Sequence, residues 1–309
     1  MLCHREPRVF SGPEGVAFYE ELLAAYYRAR GARSHRIATG AGDSVHVLER
    51  QGRGDLPPMM LVHGFSASGA SQYGAFSERL LPHVRQLVLP DLPGHGLSTI
   101  PVGGLDPERM ADALVRTMDE VLAEPTIVFA SSMAGGLAVH AALRRPEKVR
   151  ALVLCSPSGA PFAPDELDRF DKTFTIRTHR DALEFLDRLL PSDAKPAAGL
   201  LALAEETATR HAYAWGVRRQ FNRRHLVGLL RRVPTMRFLE PAELGALTMP
   251  VYLIWGRGDD ILPPSHVAFY RAHLPEGATI ETPAHFGHTP FLHHPGELAA
   301  RLLAFSRKL

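Results

Sequence analysis

The feature that most constrains this chain is an alternation of short apolar runs with amphipathic helical stretches, broken once. The segments PMMLVHGF, VRQLVLPD, TIVFASS, RALVLCSP, VYLIWG and ATIETPA read as strands. PERMADALVRTMDEVLA, MAGGLAVHAALRR, HVAFYRAHL and GELAARLLAFSRKL carry the helical period. Near-continuous apolar strands suit a sheet covered on both faces, and alternation with helices makes that sheet mostly parallel, so the chain is of the α/β class. Two earlier strands, SHRIATG and SVHVLER, meet across Gly40-Ala-Gly42-Asp43 and suit an antiparallel hairpin at the sheet edge, bringing the total to eight.

The alternation stops between Ser158 and Leu247, where helical segments are punctuated by Pro161, Pro164, Pro191, Pro196, Pro234 and Pro241. Three parts are expected: a helical N-terminal extension over 1–34, a core built from 35–157 and 248–309, and a helical insertion over 158–247 that follows the sixth strand. In the extension, Ser11 and Glu14 have capping-box spacing. Val16, Tyr19, Leu22, Leu23, Tyr26 and Tyr27 then recur on one helical face, and Gly31 ends the helix. Such a helix is expected to pack on the main body.

Charge and cysteine content exclude several function classes. Lys plus Arg is 35 and Asp plus Glu is 33, a net charge of +2, which gives no footprint for general nucleic-acid binding. The two cysteines, Cys3 and Cys155, cannot build a disulfide framework or a Cys-based zinc site. The chain begins MLCHREPRVF, without the apolar stretch of a signal peptide, and nothing approaches the roughly 18 to 20 apolar residues of a membrane span. A cytoplasmic protein without stable membrane insertion is expected; its oligomeric state leaves no mark in the sequence.

The chemistry concentrates in TIVFASSMAGGLAVHAAL, where a buried strand runs into Ser132, meets small residues and continues as a helix. A nucleophile at such a sharp strand-to-helix turn needs small neighbours two residues either side. Here they are Ala130 and Ala134, where glycine is usual, followed by Gly135 and Gly136. Ser132 either caps the helix or is that nucleophile; Ser131, one step earlier, should point away from the turn. A serine nucleophile requires a base to take its proton and an acid to orient the base. Asp259 and Asp260 follow VYLIWG, and His288 follows the last strand, in the chain order Ser, Asp, His of strand-end triads.

Five pieces now stand in order: His63-Gly64-Phe65, Asp91-Leu-Pro-Gly-His-Gly-Leu-Ser98, the Ser132 turn, Trp255-Gly-Arg-Gly-Asp259, and Gly287-His288-Thr-Pro290 with Pro295 beyond. Over about residues 35 to 309 the chain resembles the α/β-hydrolase superfamily, in particular its lid-bearing esterase, lipase and carbon-carbon hydrolase branch. The resemblance implies an eight-stranded α/β-hydrolase fold with a helical lid after the sixth strand. It makes Ser132 the nucleophile, His288 the general base and Asp259 the orienting acid, with the backbone N–H groups of Phe65 and Met133 as an oxyanion hole. Family spacing selects Asp259 over Asp260 and His288 over His285; His293 and His294 belong to a helix entrance, and His63 and His95 to the loops shaping the site.

The histidines 285, 288, 293 and 294 also suggest metal, but no H-E-x-x-H or carboxylate-rich motif accompanies them, and an enzyme free of metal and cofactor is expected. Serine at 132 points to acyl transfer, so hydrolysis of a carboxylic ester through an acyl-enzyme is the leading expectation. Carbon-carbon bond hydrolysis, acyl transfer and perhydrolysis use the same triad, and a low-turnover ligand receptor is the alternative of another class. The apolar residues of the insertion are expected to line the acyl or leaving-group pocket; the candidates are Phe170, Phe174, Phe185, Leu189, Tyr213, Trp215, Phe221 and Leu226, which at helical spacing are more often core of the insertion than substrate contacts. From Arg210 to Arg237 there are eight arginines and no acid. This stretch either attracts an anionic small-molecule acyl substrate or forms a solvated face paired with acids elsewhere.

Overall fold

The computed structural model describes residues 13–40, 42–66, 68–190 and 200–309. Its strands are β1 (Arg33–Gly40), β2 (Asp43–Gln51), β3 (Met59–Val62), β4 (Gln86–Pro90), β5 (Thr126–Ser131), β6 (Val149–Cys155), β7 (Val251–Ile254) and β8 (Thr279–Glu281). They form one sheet in the order β1-β2-β4-β3-β5-β6-β7-β8. The hairpin β1–β2 and the pair β2–β4 are antiparallel; every other pairing is parallel. The expected eight-stranded α/β architecture, with its edge hairpin, is the observed one.

The period of two sorts the strand residues onto two cores. Val62, Val128, Ala130, Leu152, Leu154, Val251 and Leu253 face one apolar cluster. It is completed by α3 (Pro107–Val121), α4 (Ala134–Arg144) and α10 (Pro264–His273). Leu61, Ile127, Phe129, Ala151, Val153, Tyr252 and Ile254 face the other, covered by α1 (Pro13–Ala29), α2 (Gly74–Leu80) and α12 (Pro295–Ser306). The helix α2, with Phe76 and Leu80 fully buried and the equally buried Tyr73 just before it, is an element that the sequence does not mark.

The helix α1 ends at Ala29, close to its expected stop, and packs on the body: Tyr27 is buried and its hydroxyl donates to the Ser71 carbonyl at 3.4 Å. Leu22 and Tyr26 look outward. The proposed cap Ser11 lies outside the described residues, as do Cys3, Pro191 and Pro196.

Between β6 and β7 the described elements are helical: α5 (Pro164–Thr173), α6 (His179–Leu189), α7 (Leu200–Phe221), α8 (Arg224–Arg231) and α9 (Pro241–Gly245). Thr178 caps α6 by accepting the Asp181 N–H. The helix α3 starts with Pro107 after Asp106, whose carboxylate accepts the Glu108 and Arg109 N–H groups. The same Asp106 takes Arg232, 126 residues away, and so ties the insertion to the core. A short α11 (Pro290–His293) precedes α12. Ser132, Asp259 and His288 follow β5, β7 and β8, and Phe65 follows β3, so all four lie beyond the carboxyl ends of parallel strands, where open α/β sheets place their sites.

Candidate active site

Ser132 has φ +50, a left-handed conformation that costs a non-glycine residue of order 1–3 kcal/mol and persists only where the surroundings enforce it. They do. The Ser132 N–H donates to the Cys155 carbonyl at 3.1 Å, and its own carbonyl accepts the N–H groups of Gly135 and Ser158, both at 2.8 Å. Ala130 and Ala134 are fully buried beside the turn. A Cβ on Gly135 would meet the Pro157 Cβ at 2.2 Å, so α4 can start this close to β6 only with glycine there. Ser131 is held away from the turn, its Oγ 2.8 Å from the Tyr73 hydroxyl.

Ser132 Oγ is 2.8 Å from His288 Nε2, and His288 Nδ1 is 2.8 Å from Asp259 Oδ2. A carboxylate accepts only, so Nδ1 carries the proton and Nε2 is left to accept from the serine hydroxyl. The other Asp259 oxygen accepts the N–H groups of Ile261 and Leu262 at 2.9 and 3.2 Å. Burial alone would push the Asp259 carboxyl up. The imidazole of His288 and those two N–H groups outweigh it and hold Asp259 below its ordinary value. Asp260 points elsewhere and pairs with Arg169. His285 bonds Glu297 at 2.7 Å, and His293 and His294 sit at the entrance of α12.

The turn after β3 leans on the serine: a Cβ on Gly64 would lie 2.9 Å from Ser132 Cβ. Its central peptide, whose carbonyl belongs to Gly64 and whose N–H belongs to Phe65, is fixed by His63. The Leu92 N–H donates to His63 Nε2 at 2.8 Å, which puts the ring proton on Nδ1, and Nδ1–H donates to the Gly64 carbonyl at 2.7 Å. His63 is fully buried, and burial pushes its pKa down, keeping the ring neutral in this arrangement. Among the described residues no backbone acceptor takes the N–H of Phe65 or of Met133, so both remain available to an incoming oxygen. The motif from Asp91 to Ser98 is structural. The buried Asp91 carboxylate accepts the N–H groups of Ala70 and Leu97 and faces His46 Nδ1 at 2.7 Å.

Residues 57–295 match the family described as alpha/beta hydrolase fold. The chain belongs to this family. A pimeloyl-[acyl-carrier protein] methyl ester esterase of Xanthomonas campestris pv. campestris is 31% identical over 265 residues, 82% of this chain and 96% of the relative. Among solved structures, a bacterial membrane phospholipase A aligns with a TM-score of 0.75 at 22% identity, covering 95% of this chain and 93% of the other. A meta-cleavage product hydrolase, CumD, aligns with a TM-score of 0.70 at 19% identity, covering 90% and 98%. At such identities these two likenesses speak for the fold.

In this alpha/beta hydrolase a cavity of about 540 Å³ opens at Ser132, within the range of small-molecule sites. Phe65 and Met133 flank the serine; Leu137, Phe162, Phe174 and Met236 extend an apolar wall. Of the insertion candidates, Phe170 and Phe174 line the cavity, whereas Phe185, Phe221 and Leu226 are buried and do not line it. Tyr213 is exposed, and Trp215 packs against His179. At the mouth, charges come in pairs: Arg144 with Asp112, Arg232 with Asp106, Arg237 with Glu243. Arg210 pairs with Asp187. Three of these four pairs draw on acids distant in sequence, and the mouth is not a one-sign field.

Among the described residues, one group of three could offer ligand atoms to a metal: His285, His294 and Glu297, all within 4.8 Å. Glu297 is already engaged by His285 and Arg301. No helix among the described residues is long and apolar enough to cross a membrane.

His266, which the sequence did not single out, is fully buried with its ring 4.4 Å from that of Phe162, and neither ring nitrogen has a hydrogen-bond partner. Burial lowers its pKa from 6.5 to about 4. As pH falls through that interval the unfolded chain binds a proton that the folded chain refuses, so stability drops between pH 6.5 and 4. His266→Leu removes this liability. Its stability at pH 7 is expected to stay within about 1 kcal/mol of the parent, since no partner is orphaned. The loss on moving to pH 4 is expected to shrink by on the order of 3 kcal/mol. Urea unfolding of both proteins at the two pH values measures it, and parallel pH dependence would refute it.

Proposed function

We propose that this alpha/beta hydrolase cleaves carboxylic esters with Ser132 as nucleophile. His288 Nε2 takes the hydroxyl proton as Oγ attacks the carbonyl carbon, and Asp259 stabilises the imidazolium that forms. The Phe65 and Met133 N–H groups receive the negative charge that develops on the carbonyl oxygen, each donor worth about 2.7 to 4 kcal/mol at the transition state. His288 then protonates the departing alcohol, and water releases the acyl group from Ser132 by the same steps in reverse. The observation that carries this reading is the unbroken relay from Asp259 through His288 to a serine hydroxyl facing an apolar cavity.

The helical segment 158–247 serves as a lid that supplies part of the cavity wall. Ser132, Phe65 and Met133 line the cavity. In this reading the acyl part occupies the cavity, and a small alcohol leaves beside the imidazole that protonates it. The Xanthomonas relative is named a methyl ester esterase, which supports the same division of the substrate. Paired charges at the mouth favour neutral, largely apolar acyl chains over anionic ones.

The test is a fluorophosphonate probe with peptide mapping, beside a panel of methyl and p-nitrophenyl esters of increasing acyl length and one vinylogous diketone. Labelling at Ser132 with ester turnover is expected. Folded protein that takes no label would favour a binding protein, and preference for the diketone would favour carbon-carbon cleavage.

His63→Ala tests the oxyanion donor. It strips the Leu92 N–H and the Gly64 carbonyl of their buried partner, and a loss of about 1 to 3 kcal/mol per orphaned group is expected. The Phe65 peptide is then free to turn, and kcat for esters is expected to fall roughly 10- to 100-fold, short of what deleting a whole donor costs. Thermal melts and steady-state kinetics of the variant measure the two effects; an undiminished kcat would remove His63 from this role.

A further inference from the structure

The oxyanion turn is held from two sides, and the second hold comes from the insertion. On the core side, His63 fixes the peptide that carries the Phe65 N–H. On the other side, Gln220 Nε2 donates to the Phe65 carbonyl at 3.1 Å, across 155 residues. Gln220 lies in the last turn of α7, next to the buried Phe221. The rings of Phe221 and Phe174, both from the insertion, approach the Phe65 ring at 5.8 and 6.2 Å.

Phe65 thus has its preceding peptide hydrogen-bonded to the core, and its following peptide hydrogen-bonded to the insertion with its ring packed against it. We infer that Gln220 is a positioning residue for the oxyanion hole, which makes seating of the insertion part of transition-state stabilisation. This inference rests on the ester-hydrolase reading above.

The physical basis is the rigidity of the peptide unit. Direction at the Phe65 N–H is set by the dihedral angles on either side of it, and an amide anchored at one end alone swings through a range of orientations. A donor must lie 2.7 to about 3.1 Å from where the oxyanion will be, and it is most useful when it needs no reorganisation as charge develops. His63 alone sets one end. When the end of α7 is in place, Gln220 and the two phenylalanine rings set the other, and a closed insertion is matched to an aimed donor. An insertion lifted off the core releases both.

The experiment compares the parent with Gln220→Leu, which keeps the side-chain bulk and removes the donor, and with Gln220→Ala. Four quantities are read: kcat and KM for a p-nitrophenyl ester, inhibition by an alkyl boronic acid that forms a tetrahedral oxyanion on the serine, and inhibition by the carboxylate product. A kcat lower by roughly tenfold is expected in both variants, with KM within about twofold. Boronate affinity should fall by a similar factor, while affinity for the carboxylate stays near the parent's. The ratio of the two inhibition constants does not depend on how much protein is folded, so it remains informative if a variant is less stable.

Raised KM with unchanged kcat, or an unchanged ratio of inhibition constants, would overturn the inference and leave Gln220 a piece of cavity wall. Failure of the parent to take a fluorophosphonate at Ser132 would instead sink the hydrolase reading and this inference with it. A labelled parent beside unaffected Gln220 variants sinks this inference only.

Discussion

Ser132→Ala is expected to lower kcat for esters by on the order of 10⁴- to 10⁶-fold and to abolish fluorophosphonate labelling. The fold should survive, because the hydroxyl contributes one hydrogen bond, to His288, whereas the backbone of the turn is held by the Cys155 carbonyl and the Gly135 and Ser158 N–H groups. Alanine bears a Cβ as serine does, so the left-handed strain at this position is unchanged. A melting temperature close to the parent's, together with lost turnover, would separate chemistry from folding. Turnover retained within tenfold would move the nucleophile elsewhere. The neighbouring Ser131→Ala is a control, since its hydroxyl is turned to Tyr73.

Asp259→Asn is expected to cost about 10⁴-fold in kcat, close to the cost of losing the nucleophile. The amide can present an N–H where the carboxylate accepted, which favours the tautomer with the proton on Nε2. That form cannot take the serine proton. The charge that would balance the imidazolium is also gone. Asp260→Asn, one residue on, is expected to change kcat by less than about twofold, because Asp260 is about half-exposed and pairs with Arg169 at the surface. Kinetics of the two variants side by side decide which acid serves the imidazole. Equal losses would mean that the loop, not the carboxylate, is what matters.

Asp259 also bears on acid behaviour. Its carboxyl is held below its ordinary value, so it stays ionised to a lower pH than a free carboxylate does. The stability it contributes is fully present above the unfolded carboxylate value and is lost progressively as pH falls from there through the lower, folded one.

Much of this architecture was legible because it depends on local pattern. The strand into Ser132 and the helix out of it are marked by an apolar run, two alanines and two glycines, and Gly135 has its steric reason in the packing beside Pro157. The edge hairpin was readable from alternation and its glycines, and His288 from its place after the last strand and its spacing to Pro290 and Pro295. The short helix α2 was missed although Tyr73, Phe76 and Leu80 recur at helical spacing. Seven residues behind a glycine-rich loop give too brief a period to stand out.

What pattern could not show is pairing at a distance. That the arginine-rich stretch pairs with acids elsewhere was one of its two expected roles, but nothing in it says that Arg232 will meet Asp106 or Arg210 will meet Asp187. Nothing around Gln220 distinguishes it from any surface glutamine until α7 is folded over the turn after β3. His63 was placed correctly among the loop-shaping residues, but its tautomer follows only from the Leu92 N–H that meets it. Local periodicity reports which face is buried; it does not report what lies across the gap.

The 156 positions between Ser132 and His288 have a consequence for biosynthesis. At a translation rate of about 5 to 20 residues per second, the hydroxyl exists for roughly 8 to 30 seconds before its base has been polymerised. On the proposed mechanism the nascent polypeptide cannot turn over an ester throughout that interval, and ribosome stalling inside the insertion is expected to yield a fragment that carries the serine yet hydrolyses nothing.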